Sequence, residues 1–178
     1  MYIALYIVLG LIFVIAILIL AAPKKYHVFR SIHIAAPKKV VFEYLKYLKK
    51  QEEWSPWAKK DPHMNRKFMG IDGEVGAINY WNGNKEVGEG EQEITMIVEG
   101  ERIEGELRFF KPFNSKSDCY MTAEAISDTE TKVTWGFSGK NEFPMSIFSV
   151  FVSMDKMVGK DFEEGLAALK SITEKNRD

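Results

Sequence analysis

The chain has little of what most chemistry-bearing proteins advertise. Its single cysteine, Cys119, excludes an internal disulfide, and no second cysteine or neighbouring histidine gives it metal-ligand spacing. Cys119 therefore reads as a small core residue. Only three histidines are present, and none has a Ser, Cys or Asp at a recognisable motif spacing. His27 and His33 share the polar face of one strand, and His63 sits beside Pro62 in a loop. There is no excess charge of either sign: 24 basic and 25 acidic residues give a net charge of −1. That removes the field that gathers a polyanion, so no nucleic-acid partner is expected. The glycine-rich "GIDGEVG" lacks the Lys–Ser/Thr ending and the following helix that phosphate cradles require. No metal and no cofactor are expected.

Charge is also missing from one whole stretch. Met1–Ala22, "MYIALYIVLGLIFVIAILILAA", carries no charged side chain and is long enough to cross the hydrocarbon of a bilayer as a helix. A cleaved signal peptide would need a basic start, a shorter apolar run and small residues before the cut, and here Leu20 and Pro23 occupy the wrong places. Residues 1–22 are therefore read as a retained transmembrane anchor and residues 23–178 as one ligand-binding domain. Lys24, Lys25, Arg30, Lys38 and Lys39 follow the anchor closely, which predicts a single-pass membrane protein with its domain facing the cytoplasm.

What is present beyond the anchor is hydrophobic alternation. "YHVFRSIHI" places Val28, Ile32 and Ile34 on one strand face. Pro37 then opens a helix, "PKKVVFEYLKYLKK". From Met64 to Lys140, turn residues separate about six strands joined mostly by short hairpins. "RIEGELRF" puts Ile103, Leu107 and Phe109 on one side, and "TKVTWGF" sends Val133, Trp135 and Phe137 inward. A long helix is expected from about Pro144 to Lys175, with Met154, Val158, Phe162, Leu166 and Leu169 along its stripe. Gly159 and Gly165 mark close passage over the sheet. The first half of this helix, including Phe148 and Phe151, is too apolar for one face and needs a cavity, a partner or lipid.

Several of these blocks, "IAAPKKVVFEYL", "WSPWAKKDP", "WNGNKEVGEGEQEI", "LRFFKPF", "TKVTWGFSG" and "MDKMVGKDFEEGLAALK", occur in an order and spacing that resemble the START-like (SRPBCC) superfamily, in its polyketide cyclase/dehydrase and lipid transport branch. The resemblance runs from about Tyr26 to Ile172. It implies an α+β helix-grip fold: a curved antiparallel sheet of about seven strands around a long C-terminal helix, with an apolar cavity between them. It implies a binder of sterol, phospholipid or aromatic metabolite more often than any one reaction.

Residues expected to line the cavity are Tyr80, Phe109, Met121, Trp135 and Phe137 from the strands, and Phe148, Phe151, Met154 and Val158 from the helix. Trp54 and Trp57 of WSPW either close one end over a ligand or fill a corner fixed by Pro56. The function expected is membrane-anchored binding, with transport or sensing left open, of a small hydrophobic or amphipathic ligand such as a lipid. Two alternatives stand beside it. One is a cyclase-, dehydratase- or hydrolase-type enzyme on an aromatic or polyketide-like substrate, with Glu91, Glu93, Tyr80 or Asp155 as acid/base groups. The other is a membrane-tethered interaction module with a filled core. Alternation places Glu89, Glu91 and Glu93 on the solvated side of the sheet, with Ile94, Met96 and Val98 opposite.

Overall fold

The structure is a computed structural model that describes residues 2–141, 146, 149–150 and 153–176. Helix α1 (Tyr2–Ala21) comes first, 20 residues without a charge and about 30 Å long at 1.5 Å per residue. Its described large side chains, from Ile3 to Leu20, are 41–80% exposed. Over the described side chains alone, which leave gaps at Tyr2, Ala4, Val8, Leu18 and Ala21, no helix is long and apolar enough to cross a membrane. The transmembrane segment expected at residues 1–22 is therefore not a finding of the fold, and membrane attachment returns below as a proposal.

Seven strands follow: β1 (Lys25–Ile34), β2 (Asn65–Met69), β3 (Ile78–Asn82), β4 (Glu89–Val98), β5 (Arg102–Lys111), β6 (Ser115–Ser127) and β7 (Glu130–Lys140). They form one antiparallel sheet in the order β1-β7-β6-β5-β4-β3-β2. Three short helices, α2 (Lys38–Lys46), α3 (Leu48–Trp54) and α4 (Pro56–Lys60), separate β1 from β2. Tyr47, in extended conformation, splits α2 from α3, and the Asp72 carboxylate accepts from the first two backbone amides of α3, Leu48 at 2.7 Å and Lys49 at 3.3 Å.

The long helix α5 (Met154–Lys175) lies on the sheet. It starts later than the apolar run predicts, because Ser153 is extended and caps it, its hydroxyl accepting from the Lys156 amide. Phe162, Leu166 and Leu169 bury its inner face against Val28, Val133 and Trp135. Gly159 and Gly165 do lie where the helix runs closest: a Cβ at Gly165 would stand 2.8 Å from the Trp135 ring, and one at Gly159 would collide with the Arg30 guanidinium. Charge ties the helix to the edge strand as well. Arg30 reaches Asp155 at 2.8 Å and Glu163 at 2.6 Å.

Two sequence readings change in the sheet. A bulge between Ile94 and Met96 in β4 adds one residue, so Ile97, not Met96 or Val98, returns to the inner face. Met96 and Val98 are consequently exposed. Tyr80 pairs across the ladder with Glu91, which pairs with Arg108. It therefore belongs to the outer face, and the inward aromatic of β3 is its neighbour Trp81.

Candidate ligand-binding cavity

A cavity of about 190 Å³ opens between the concave face of the sheet, α5 and the α3–α4 corner. Its sheet wall is built by register. Trp135 faces Met121 across β6–β7, Phe137 faces Cys119, and Cys119 faces Gly105, where a Cβ would stand 2.7 Å from the Glu93 carbonyl oxygen. Trp81 and Phe109 meet edge to face, centroids 6.0 Å apart, over Gly90, the residue that pairs with both. A Cβ on Gly90 would sit 2.7 Å from the Trp81 ring and 2.5 Å from the Arg108 carbonyl, so glycine is required for this wall.

The WSPW block fills a corner and also contributes to the cavity wall. Trp54 is fully buried, donates its indole N–H to the Tyr44 carbonyl at 3.2 Å and stands edge-on to Trp135. It is a corner residue whose inner edge forms cavity wall. Trp57 is half-buried and stands edge-on to both Trp135 and Phe162. Of the residues expected at the site, Trp54, Trp57, Phe109, Met121, Trp135, Phe137 and Val158 do line the cavity. Met154 packs against the core without lining the cavity, and Tyr80 is on the wrong face. Phe148 and Phe151 lie outside the described residues.

The acid/base groups singled out from the sequence are all elsewhere. Arg108 holds Glu91, Glu93 and Glu106 on the outer face at 2.6 to 2.7 Å. Asp155 is drawn below its usual range by Arg30, outside the cavity. Tyr80 donates to Glu89, which raises the phenol and, with Lys111, lowers the carboxylate. None of these touches the cavity.

A carboxylate the sequence reading passed over does. Glu52, on the α3 turn facing β2, lines the cavity beside Arg66, Asn79, Gln51 and Gln92. Arg66 Nη1 donates to Glu52 Oε2 at 3.2 Å. Its Nε lies 2.9 Å from Glu52 Oε1, but at an angle that makes no hydrogen bond, so that buried oxygen accepts none. Asn79 Oδ1 is likewise buried without a donor. Burial raises the Glu52 carboxyl above its ordinary value, and Arg66 only partly offsets this. Gln92 donates to Gln51 at 3.3 Å, and Gln51 to the Leu45 carbonyl at 2.7 Å. The cavity thus has one polar wall, and the remaining walls are aromatic or aliphatic. Its signal in the sequence, an acid four residues after Leu48 on a short helix, does not separate it from a surface glutamate. Among the described residues, no group of three or more His, Cys, Asp or Glu side chains gathers to hold a metal.

No protein-family model matches the chain, and no curated protein sequence matches it. Solved structures do. A protein of Nitrosospira multiformis is similar over 86% of this chain and all of its own length, with TM-score 0.59 and 18% identity. Norcoclaurine synthase from Thalictrum flavum, in complex with dopamine and hydroxybenzaldehyde, is similar over 91% of this chain and 93% of its own, with TM-score 0.65 and 9% identity. Major latex-like protein 151 from Panax ginseng covers 85% of this chain and 99% of its own, with TM-score 0.58 and 12% identity. At such identities the likeness shows the fold alone, the Bet v1/START-like helix-grip fold.

Proposed function

We propose that this protein binds a small hydrophobic or amphipathic ligand, such as a lipid segment or an aromatic metabolite, between its sheet and α5, and that residues 1–22 hold the domain of residues 23–178 at a membrane, on the cytoplasmic side. The observation that carries the binding reading is the cavity itself. At about 190 Å³ it exceeds the roughly 150 Å³ apolar cavity that takes up benzene. It suits one substituted ring or a short acyl segment, with a polar end toward Glu52 and Asn79. An interaction module with a filled core does not account for such a void. In support of attachment, α1 is 20 residues of uncharged, exposed apolar helix, which costs heavily in water. Lys24 and Lys25 follow it at the surface and favour retention of the domain in the cytoplasm.

Native mass spectrometry of the full chain in lipid nanodiscs, repeated after organic extraction, tests the binding reading. A stoichiometric small guest is expected, and Val158→Trp, which fills the cavity from α5, is expected to abolish both the guest and uptake of the apolar probe 1-N-phenylnaphthylamine. Unchanged uptake in a folded Val158→Trp variant would refute the reading.

One observation favours an enzyme as the second reading: Glu52, with its raised pKa, is a carboxyl placed where a bound substrate would meet it. Norcoclaurine synthase shares the fold. Turnover of an aromatic substrate that vanishes in Glu52→Gln while binding persists would establish it.

A further inference from the structure

The strand register places four features at one end of the sheet. Lys25 pairs with Lys140, Gly139 with Ser117, Phe109 with Ser115, and Asn82 with Glu89. Hence the exit of α1, the end of β7, the β5–β6 turn and the β3–β4 turn all face the same way. The short segment after α1 is fixed there, because Asn141 donates through its side chain to the Pro23 carbonyl at 2.8 Å and through its backbone to Lys24. The β5–β6 turn lies two to three strands from β1, roughly 10–14 Å away at the usual strand spacing. A membrane that receives α1 therefore passes close to this turn.

That turn is built unlike an ordinary solvated hairpin. Phe110, set outward by the shift of register at the start of β4, is 38% exposed, and Phe113 at the tip is 50% exposed. The charges around it are mostly basic, with Glu86 exposed beside Lys85 in the β3–β4 turn and Glu89 paired to Lys111. Lys24, Lys25, Lys85 and Lys140 are exposed at this end and make no ion pair among the described residues. The turns at the opposite end carry Asp72, Glu74, Glu101, Asp128 and Glu130 instead. A net charge near zero hides this division between the two ends.

We infer that the β5–β6 turn is a second contact with an anionic phospholipid bilayer: Phe110 and Phe113 enter the interface while the lysines around α1 and the neighbouring turns meet the headgroups. Exposed aromatic rings at a basic rim suit the membrane interface, where one side is apolar and the other wet. With α1 as one tether and this turn as another, the sheet stands with its cavity end on the bilayer. Trp81, Val87 and Phe109 line the cavity at that end, so a guest enters from the lipid side. The inference rests on the proposed membrane attachment of α1.

Nitroxide labels on the full-length chain in nanodiscs of phosphatidylcholine and phosphatidylglycerol test it. They are placed singly at Phe113→Cys, at Phe13→Cys within α1, and at Ile126→Cys near the opposite end of the sheet. Buried Cys119 stays unlabelled at neutral pH, as the unsubstituted chain checks. Accessibility to oxygen against a water-soluble nickel chelate is expected to report lipid at 13 and 113 and water at 126. Label 13 in lipid with label 113 in water would overturn the inference and leave the anchor standing. Label 13 in water would remove both. A lipid signal at 113 that persists in pure phosphatidylcholine would overturn the part played by the lysines.

Discussion

The indole of Trp135 lies flat on the ring of Phe162, centroids 4.3 Å apart and planes 6° from parallel. This pair joins β7 to α5 at the floor of the cavity, and Trp54 and Trp57 approach the same indole edge-on. Because Phe162 is 3% exposed, Phe162→Ala is expected to cost about 3–5 kcal/mol, as lost burial and a larger void add together. A urea midpoint measures it. A loss below about 1 kcal/mol would mean that the helix collapses onto the sheet and closes the cavity.

The two glycines of α5 are expected to respond differently to alanine. At Gly165 the new methyl meets two rigid groups, the Trp135 ring at 2.8 Å and Pro56 at 3.1 Å. Overpacking of about 1–3 kcal/mol then outweighs a helix-propensity gain of about 1 kcal/mol. At Gly159 it meets the end of the Arg30 side chain, which can swing aside. The variant forfeits part of an exposed, solvent-screened ion-pair network, so the net change is near zero. Thermal melts of the two variants separate these outcomes.

Glu52 gives a pH dependence of definite sign. Its folded carboxyl binds a proton more readily than the ordinary carboxyl at 4.5, because burial disfavours the charged form more than Arg66 favours it. The contribution of Glu52 is therefore most favourable below pH 4.5 and is lost as pH rises through that value to the higher folded one. Glu52→Gln is expected to stabilise the fold at pH 7, with the advantage shrinking to nothing below about pH 4.5. Urea midpoints of both proteins across this range decide it, and an advantage that grows on acidification would reverse the assignment.

Burial pushes the Cys119 thiol up to about 12, leaving almost no thiolate to react at neutral pH. Labelling by a charged disulfide reagent at pH 8 is expected to wait for unfolding and to be complete in concentrated guanidinium. A fast reaction in the native state, followed by absorbance, would mean that the cavity admits the reagent freely.

Much of the fold was legible because it depends on local periodicity. The alternation of Ile103, Leu107 and Phe109, the inward Trp135 and Phe137, and the stripe of Phe162, Leu166 and Leu169 each need only their own segment to be read. The glycines at 159 and 165 were legible for the same reason, as breaks in a helix that must serve packing. Tyr80 and Trp81 were not, since adjacent aromatics alternate faces and only the ladder to Glu91 and Gly90 tells which one is inside. Glu52 was missed because nothing within α3 separates a glutamate facing β2 from one facing water.

By itself, then, the sequence determined the uncharged apolar segment at its start, the division into strands and helices, and which faces had to be covered. Those follow from side-chain chemistry repeated at period 2 or 3.6. Tertiary structure alone decided that a bulge at Ile94–Met96 turns the end of β4 over, that Glu52 and Asn79 share a wall with Trp81, and that Phe113 and Lys24 lie at one end of the sheet. Each is a relation between strands or helices far apart along the chain, fixed by register and packing that no local pattern encodes.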